Sequence, residues 1–289
     1  MDNKQKALIF ILLASIFGGT NQPIIKIGLA IIPPLSFVFL RFLIAGLIVS
    51  PFFFHKSFLK SFWKLLPLSI LGTLNIVFAV FGIGRTAATI GQLLYAGVPI
   101  LIALFLFVFL KERLRWNRAV GILIGFLGVL FVVLLPAIEK GNKFSGDLLG
   151  NILISFGVIL WSLYIVYSRR ALKTFSPFVV TAVFIWTTCL VVFPFFIMEL
   201  STHSGWWRNL TLSSFLSVGF SSVFSTVATF ILSQYAIKYG GSILASLQFY
   251  LLPIVTYLIA SLLLGERLTL GIVVGGALAL LGVYITTKK

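Results

Sequence analysis

Ten apolar stretches, most about 20 residues long, follow one another along the chain, separated by short segments rich in Gly, Pro and basic residues. This succession constrains the fold more than any other feature. A helix of about 20 residues crosses the roughly 30 Å hydrocarbon core of a bilayer. Because lipid offers the backbone no hydrogen-bond partner, such segments span as helices. The expected spans are 7–27, 34–54, 65–84, 87–110, 117–136, 148–168, 177–198, 211–237, 241–264 and 270–287. The reading is an all-α integral membrane protein of ten transmembrane helices with no soluble domain. Composition agrees: 60% of the residues are hydrophobic and 10% charged, against about 25% charged in a soluble domain.

Several function classes drop out. A net charge of +16 is compatible with nucleic-acid binding, but the cations lie in short clusters between apolar runs, the pattern of membrane topology. The single cysteine, Cys189, excludes an internal disulfide, and His55 and His203 sit in different connections, so no metal site or other cofactor is expected. Neither GxxxxGK[ST] nor GxSxG occurs, so nothing marks nucleotide-driven transport or a serine hydrolase, and no enzyme is expected. Lys4 and Lys6 before the first apolar run resemble a secretory leader, but the repeat described below needs that helix as the counterpart of the sixth.

Placing both termini in the cytoplasm puts 15 of the 22 Lys and Arg on the inner side and 6 outside, with Arg41 inside the second span. Positively charged loops stay inside, so the expectation is a multi-pass protein of the inner (cytoplasmic) membrane with both termini cytoplasmic.

The chain repeats itself. Leu93–Val129 and Leu247–Val283, offset by 154, share 13 of 37 residues, among them Pro99, Glu112, Arg113, Gly121 and Gly128. Chance in so apolar a composition gives roughly one in ten. An offset of 144 aligns Pro33 with Pro177 and Trp63-Lys64 with Trp207-Arg208. Two halves, 1–143 and 144–289, each carry five spans. Five is odd, so the second half enters the membrane from the opposite side. The charge of the two Glu-Arg-Leu turns fits this: "FLKERLRWNR" carries four cations and "LLGERLTLGI" one, as expected if the first turn faces inward and the second outward. Inverted-topology repeats are an architecture of secondary transporters.

The stretches that carry the repeat also carry a resemblance. "FGGTNQPIIKIG" (Phe17 to Gly28), "PPLSFVFLRFLIAG" (Pro33 to Gly46), a Pro in the fourth helix of each half, Glu-Arg-Leu, and the Gly-rich "GILIGFLGVL" and "GGALALLGVY" resemble the drug/metabolite transporter superfamily, its EamA-like ten-helix group. The resemblance covers nearly the whole chain. It implies transport of small metabolites, such as amino acids or other organic molecules, with export the family expectation. The family often has Trp where Phe17 stands, so a Trp contact there is not expected.

Polar residues within spans mark candidate lining, since they cost free energy unless they face a cavity or a partner. The first helix offers Asn21, Gln22 and Lys26 around Pro23, either as lining or as interhelical hydrogen bonders. Asn75 in the third helix aligns with Thr229 in the eighth, where Ser225 also sits. Gln92 and Tyr95 in the fourth and Tyr250 and Tyr257 in the ninth flank aligned prolines; Tyr95 and Tyr250 lie roughly 13 Å deep, too deep for an aromatic belt. Trp161 and Tyr164 of the sixth helix are either lining or packing. Arg41 and Lys26 are candidates to attract an anion; the alternatives are a carbonyl partner and snorkelling. No Asp or Glu stands at a span centre, which argues against a carboxylate proton relay. The glycine faces Gly121/Gly125/Gly128 and Gly271/Gly275/Gly282 read as close-packing seams, within the chain or in a homodimer. The partners expected are a small-molecule substrate and the bilayer, not nucleic acid. The rival reading is a lipid flippase or scramblase, which needs a polar groove open to lipid in place of an enclosed cavity.

Overall fold

The computed structural model describes residues 1–289 apart from 53–57, 84, 86–90, 92–93, 140–147, 204, 265–269 and 289. Its described residues form ten helical runs: α1 (Asn3–Leu29), α2 (Pro34–Val49), α3 (Phe58–Ile83), α4 (Val98–Leu110), α5 (Trp116–Glu139), α6 (Leu148–Ala171), α7 (Pro177–Thr202), α8 (Leu212–Ser246), α9 (Gln248–Leu264) and α10 (Leu270–Thr287). Among the described residues α1, α3, α6, α7 and α8 are long and apolar enough to cross a membrane, and the other five contribute shorter apolar helices. Large apolar side chains stand outward along them, for example Phe107 at 58%, Phe215 at 66% and Leu262 at 81% exposure. Such a surface suits lipid, not water.

Local chemistry sets the helix starts. Asp2 and Gln5 form a reciprocal capping box on α1. Pro34 and Pro177 occupy the first turns of α2 and α7, where a missing N–H costs nothing. The N-terminus of α2 is capped from a distance: the Glu199 carboxylate, buried near the end of α7, accepts from Leu35 N–H (3.2 Å), Ser36 N–H (2.6 Å) and Ser36 Oγ (2.8 Å). A carboxylate there faces the positive end of the helix dipole. Glu199→Gln should therefore lower stability by about 1–2 kcal/mol. Thermal unfolding in detergent checks this, and an unchanged midpoint would reduce Glu199 to a neutral contact.

The halves meet through glycines. A Cβ on Gly128 would lie 2.7 Å from Gly275 O and closer still to Ala279 N, while one on Gly282 would lie 2.7 Å from Gly121 O and almost on Gly125. Residue numbers fall along α10 as they rise along α5, so the two helices are antiparallel. The contacts are also reciprocal under the 154-residue offset: Gly128 meets the equivalents of Gly121 and Gly125, and Gly282 meets Gly121 and Gly125 themselves. Two equivalent helices packed antiparallel in this way are what an inverted repeat produces. The seam lies within one chain. Ser36 against Glu199, Phe39 stacked on Phe196 at 4.4 Å and Gly46 against Trp186 show the same antiparallel pairing of α2 with α7. Tyr95, before α4, stacks at 6.2 Å on Phe249, its own repeat counterpart in α9.

Two boundaries differ from the sequence reading. The helical run of α8 extends past 237 to Ser246, but Gly241 within it holds φ 76°, ψ 174°, and this is where the chain leaves the eighth span for the ninth. Only glycine adopts that backbone without strain. The fourth span is described as a regular helix only from Val98; its expected start at 87–90 lies outside the described residues.

Candidate substrate site

One part of the site is built by irregular helices. Pro23 has no N–H to give Gly19 O, four residues earlier. Thr256 of α9 supplies the bond instead, its Oγ1 donating to Gly19 O at 3.0 Å. Opposite α1, Ser221–Ala228 of α8 is a π-helix. Its wide turns are matched by hydroxyls reaching five residues back, Thr226 to Ser221 O and Thr229 to Phe224 O, both 2.9 Å. Single π-turns cluster at functional sites. The π segment presents Ser221 Oγ to Asn21 Oδ1 (3.0 Å), Ser225 Oγ to Phe17 O (3.3 Å) and Thr226 Oγ1 to Arg41 Nε, which donates at 2.5 Å. Asn21, Ser225 and Arg41, picked from separate helices, thus meet in one polar patch.

An aromatic layer adjoins it. Phe42, beside Arg41, meets Phe184 edge-on at 6.0 Å and Phe230 at 6.2 Å. Trp161 and Tyr164 stack on each other at 5.0 Å, and both touch Phe184.

A second polar group lies against this layer. Gln234 Nε2 of α8 donates to Tyr164 OH at 2.8 Å, and Ser233 Oγ donates to Gln248 Oε1 of α9 at 2.9 Å. Trp161, Tyr164, Phe230, Ser233, Gln234 and Gln248 surround a cavity of about 10 Å³, the size of one water. Two polar atoms of this wall, Trp161 Nε1–H and Gln234 Oε1, are buried without a hydrogen-bond partner among the described residues. Each such orphan costs about 1–3 kcal/mol. One is a donor and the other an acceptor, a complementary pair for a ligand carrying both functions.

The family model for EamA-like transporters matches residues 5–134 and again 148–288. The chain belongs to the EamA-like transporter family. Among EamA-like relatives, an uncharacterized transporter of Archaeoglobus fulgidus is 26% identical over 98% of this chain and 99% of its own length. The uncharacterized transporter YyaM of Bacillus subtilis is 29% identical, covering 95% and 91%. The uncharacterized inner membrane transporter YedA of Escherichia coli K12 is 29% identical, covering 95% and 90%. A solved crystal structure shares the fold, with a TM-score of 0.81 at 20% identity over 97% of this chain and 96% of that one. This EamA-like protein is therefore a multi-pass membrane transporter.

The remaining sequence candidates disperse. Asn75 Nδ2 donates to Tyr95 OH at 2.6 Å, forming a pair of their own under the Phe249 ring. Tyr250 is fully buried elsewhere: its OH donates to Ile122 O at 2.8 Å and its ring fills the space left by Gly125, in the α5–α10 seam. Tyr257 is half-buried in α9. Gln92 and the side chains of Gln22 and Lys26 lie outside the described residues. Tyr250→Phe should thus lower stability by about 1 kcal/mol through the lost hydrogen bond and leave transport intact. Paired melting and transport assays check this; lost transport at unchanged stability would return Tyr250 to the substrate path. Sequence reasoning passed over Ser233, Gln234, Thr226 and Thr256. Ser233 continues the Ser217–Ser221–Ser225–Thr229 spacing by four and was the available signal for the second polar group.

The first Glu-Arg-Leu turn has a different partner from its own arginine. Lys111, with φ 55°, ends α4 in the left-handed conformation, and Glu112 then receives both its ionic contacts from Arg169 at the end of α6, each 2.8 Å. Its counterpart Glu266 lies outside the described residues.

Proposed function

We propose that this protein exports a small amphipathic organic solute, amino-acid-like in size and polarity, by alternating access through the region between its two inverted halves. The observation that carries the reading is a buried donor and acceptor without partners among the described residues, Trp161 Nε1–H and Gln234 Oε1, on residues that line an aromatic-walled cavity where α6, α8 and α9 of the second half meet. Trp161, Tyr164 and Phe230 would hold the apolar part of the solute, Gln234 its polar part, and Arg41 with Thr226 and Asn21 an acidic group. A water-sized cavity admits no such solute, so α6 and α8 must separate on loading, as rocking of one helix group against another requires. The orientation proposed is both termini cytoplasmic, in the inner membrane, in keeping with the cation bias and with the naming of YedA as an inner membrane transporter. The wall residues Trp161, Tyr164, Gln234 and Gln248 are buried within the helix bundle, which supports a soluble solute over a lipid.

Counterflow into proteoliposomes against a panel of amino acids and other organic metabolites tests the reading. Saturable exchange of at least one solute is expected. Translocation of labelled phospholipid without exchange of any solute would replace it with a flippase.

A further inference from the structure

A second candidate site lies at the end of the molecule that carries both termini, away from the cavity above. Two adjoining clefts there have volumes of about 270 and 400 Å³ and share Arg118, Tyr239 and Gly240. Lys4, Arg115 and Lys288 line the first, and Arg169, Lys173 and Lys238 the second. Seven cations thus line two clefts that share one wall. The carboxylate that meets them among the described residues is Glu112, and both its contacts go to Arg169. Such a concentration of like charge is self-repelling unless an anion enters it.

The cleft is shaped as well as charged. Gly241 turns the backbone with φ 76° on its floor, and a Cβ there would stand 3.8 Å from Arg169 Nε. Tyr239 is held in place by stacking with Phe10 at 5.8 Å and Tyr235 at 6.2 Å. Lys6 and Lys238 both lie over the Tyr239 ring, at 5.5 and 6.0 Å. The α4–α5 connection that leads to Arg118 exposes large apolar side chains at both ends: Phe109, at the end of α4, is 50% exposed, and Trp116, at the start of α5, is 80% exposed. Phosphate-bearing charge in the cleft, acyl chain against this flank and an indole at the boundary match an anionic phospholipid at headgroup depth.

We propose that this basic cleft binds the phosphate headgroup of an anionic phospholipid, phosphatidylglycerol or cardiolipin. A headgroup there would tie α5 of the first half to α6 and to the α8–α9 turn of the second.

The test is native mass spectrometry of the detergent-purified full chain, offered phosphatidylglycerol, cardiolipin or phosphatidylcholine, beside the variants Arg118→Gln/Lys173→Gln and, as a control outside the cleft, Lys60→Gln/Lys64→Gln. The expected result is adducts of the two anionic lipids on the wild type and the control, weakened at least about tenfold in the cleft variant, with phosphatidylcholine binding weakly to all. Arg118→Gln alone, an exposed position, gives the same reading with less risk to folding. Equal loss in the control pair would mean diffuse surface attraction and overturn the site. Equal binding of phosphatidylcholine would overturn the role of charge. Displacement of the lipid by millimolar inorganic phosphate, with no lipid preference left, would make the cleft a soluble-anion site and overturn the lipid assignment.

Discussion

Gly128→Ala and Gly282→Ala are each expected to destroy the folded, monodisperse state of the protein. The added Cβ would press on backbone, not on a side chain that can swing away: Gly275 O and Ala279 N in one case, Gly121 O and Gly125 in the other. Two helices would have to move apart along their whole crossing, giving up the close contact that holds membrane helices together without a hydrophobic driving force. The expected loss exceeds about 3 kcal/mol, the upper end for overpacking, and consumes much of a typical folding free energy of about 5–15 kcal/mol. Gly276→Ala is the matched control. It lies in the same helix, but its Cβ would sit 3.8 Å from Ile254, an ordinary contact. Fluorescence-detected size exclusion after detergent extraction reads the outcome. A sharp monomer peak and an unaltered melting point for Gly128→Ala would mean that the seam does not pack this tightly.

Gln234→Leu is expected to lower transport by about tenfold to a hundredfold while leaving the protein folded. The substitution keeps the volume of the side chain. It removes the donor to Tyr164 OH and the unpartnered acceptor of a residue that lines the cavity. Losing a buried hydrogen-bond partner for the solute costs about 1–3 kcal/mol of binding, and each 1.4 kcal/mol is tenfold. Removing the orphaned Oε1 relieves one cost of the empty state while Tyr164 OH loses its donor at a similar cost, so stability should change little. Initial counterflow rates with the solute identified in the panel, measured beside thermal melts, separate the two effects. Wild-type transport in Gln234→Leu would exclude the amide from the substrate path.

How much of this was legible beforehand depended on the length scale of the signal. Apolar runs of bilayer length, the charge asymmetry of the two Glu-Arg-Leu turns and the 154-residue offset are properties of the string itself. The antiparallel pairing of Gly121–Gly128 with Gly275–Gly282 then follows from an odd number of spans per half. The site was only partly legible. Tyr95 and Tyr250 occupy similar depths in related helices, yet one lies under Phe249 with Asn75 and the other bonds Ile122 O in the seam. Helical spacing fixes which residues share a face, but the azimuth of that face depends on the neighbouring helices. Conversely, Asn21, Arg41 and Ser225 are far apart in sequence and met only because the π-helix of α8 presents its hydroxyls to both α1 and α2.

The sequence by itself thus determined the solvent, the class of fold, the two halves and their opposite orientation. Each of these rests on one-dimensional quantities: hydropathy over about 20 residues, charge between runs and self-similarity. Tertiary structure alone decided which polar groups converge. That choice depends on backbone irregularities, the carbonyl freed by Pro23, the π turns at Ser221–Ala228 and the positive φ of Gly241, and on helix rotations that packing sets. It also decided which polar groups stay unsatisfied, because an orphaned Trp161 Nε1–H or Gln234 Oε1 is defined by the absence of a neighbour in space, which no spacing along the chain encodes.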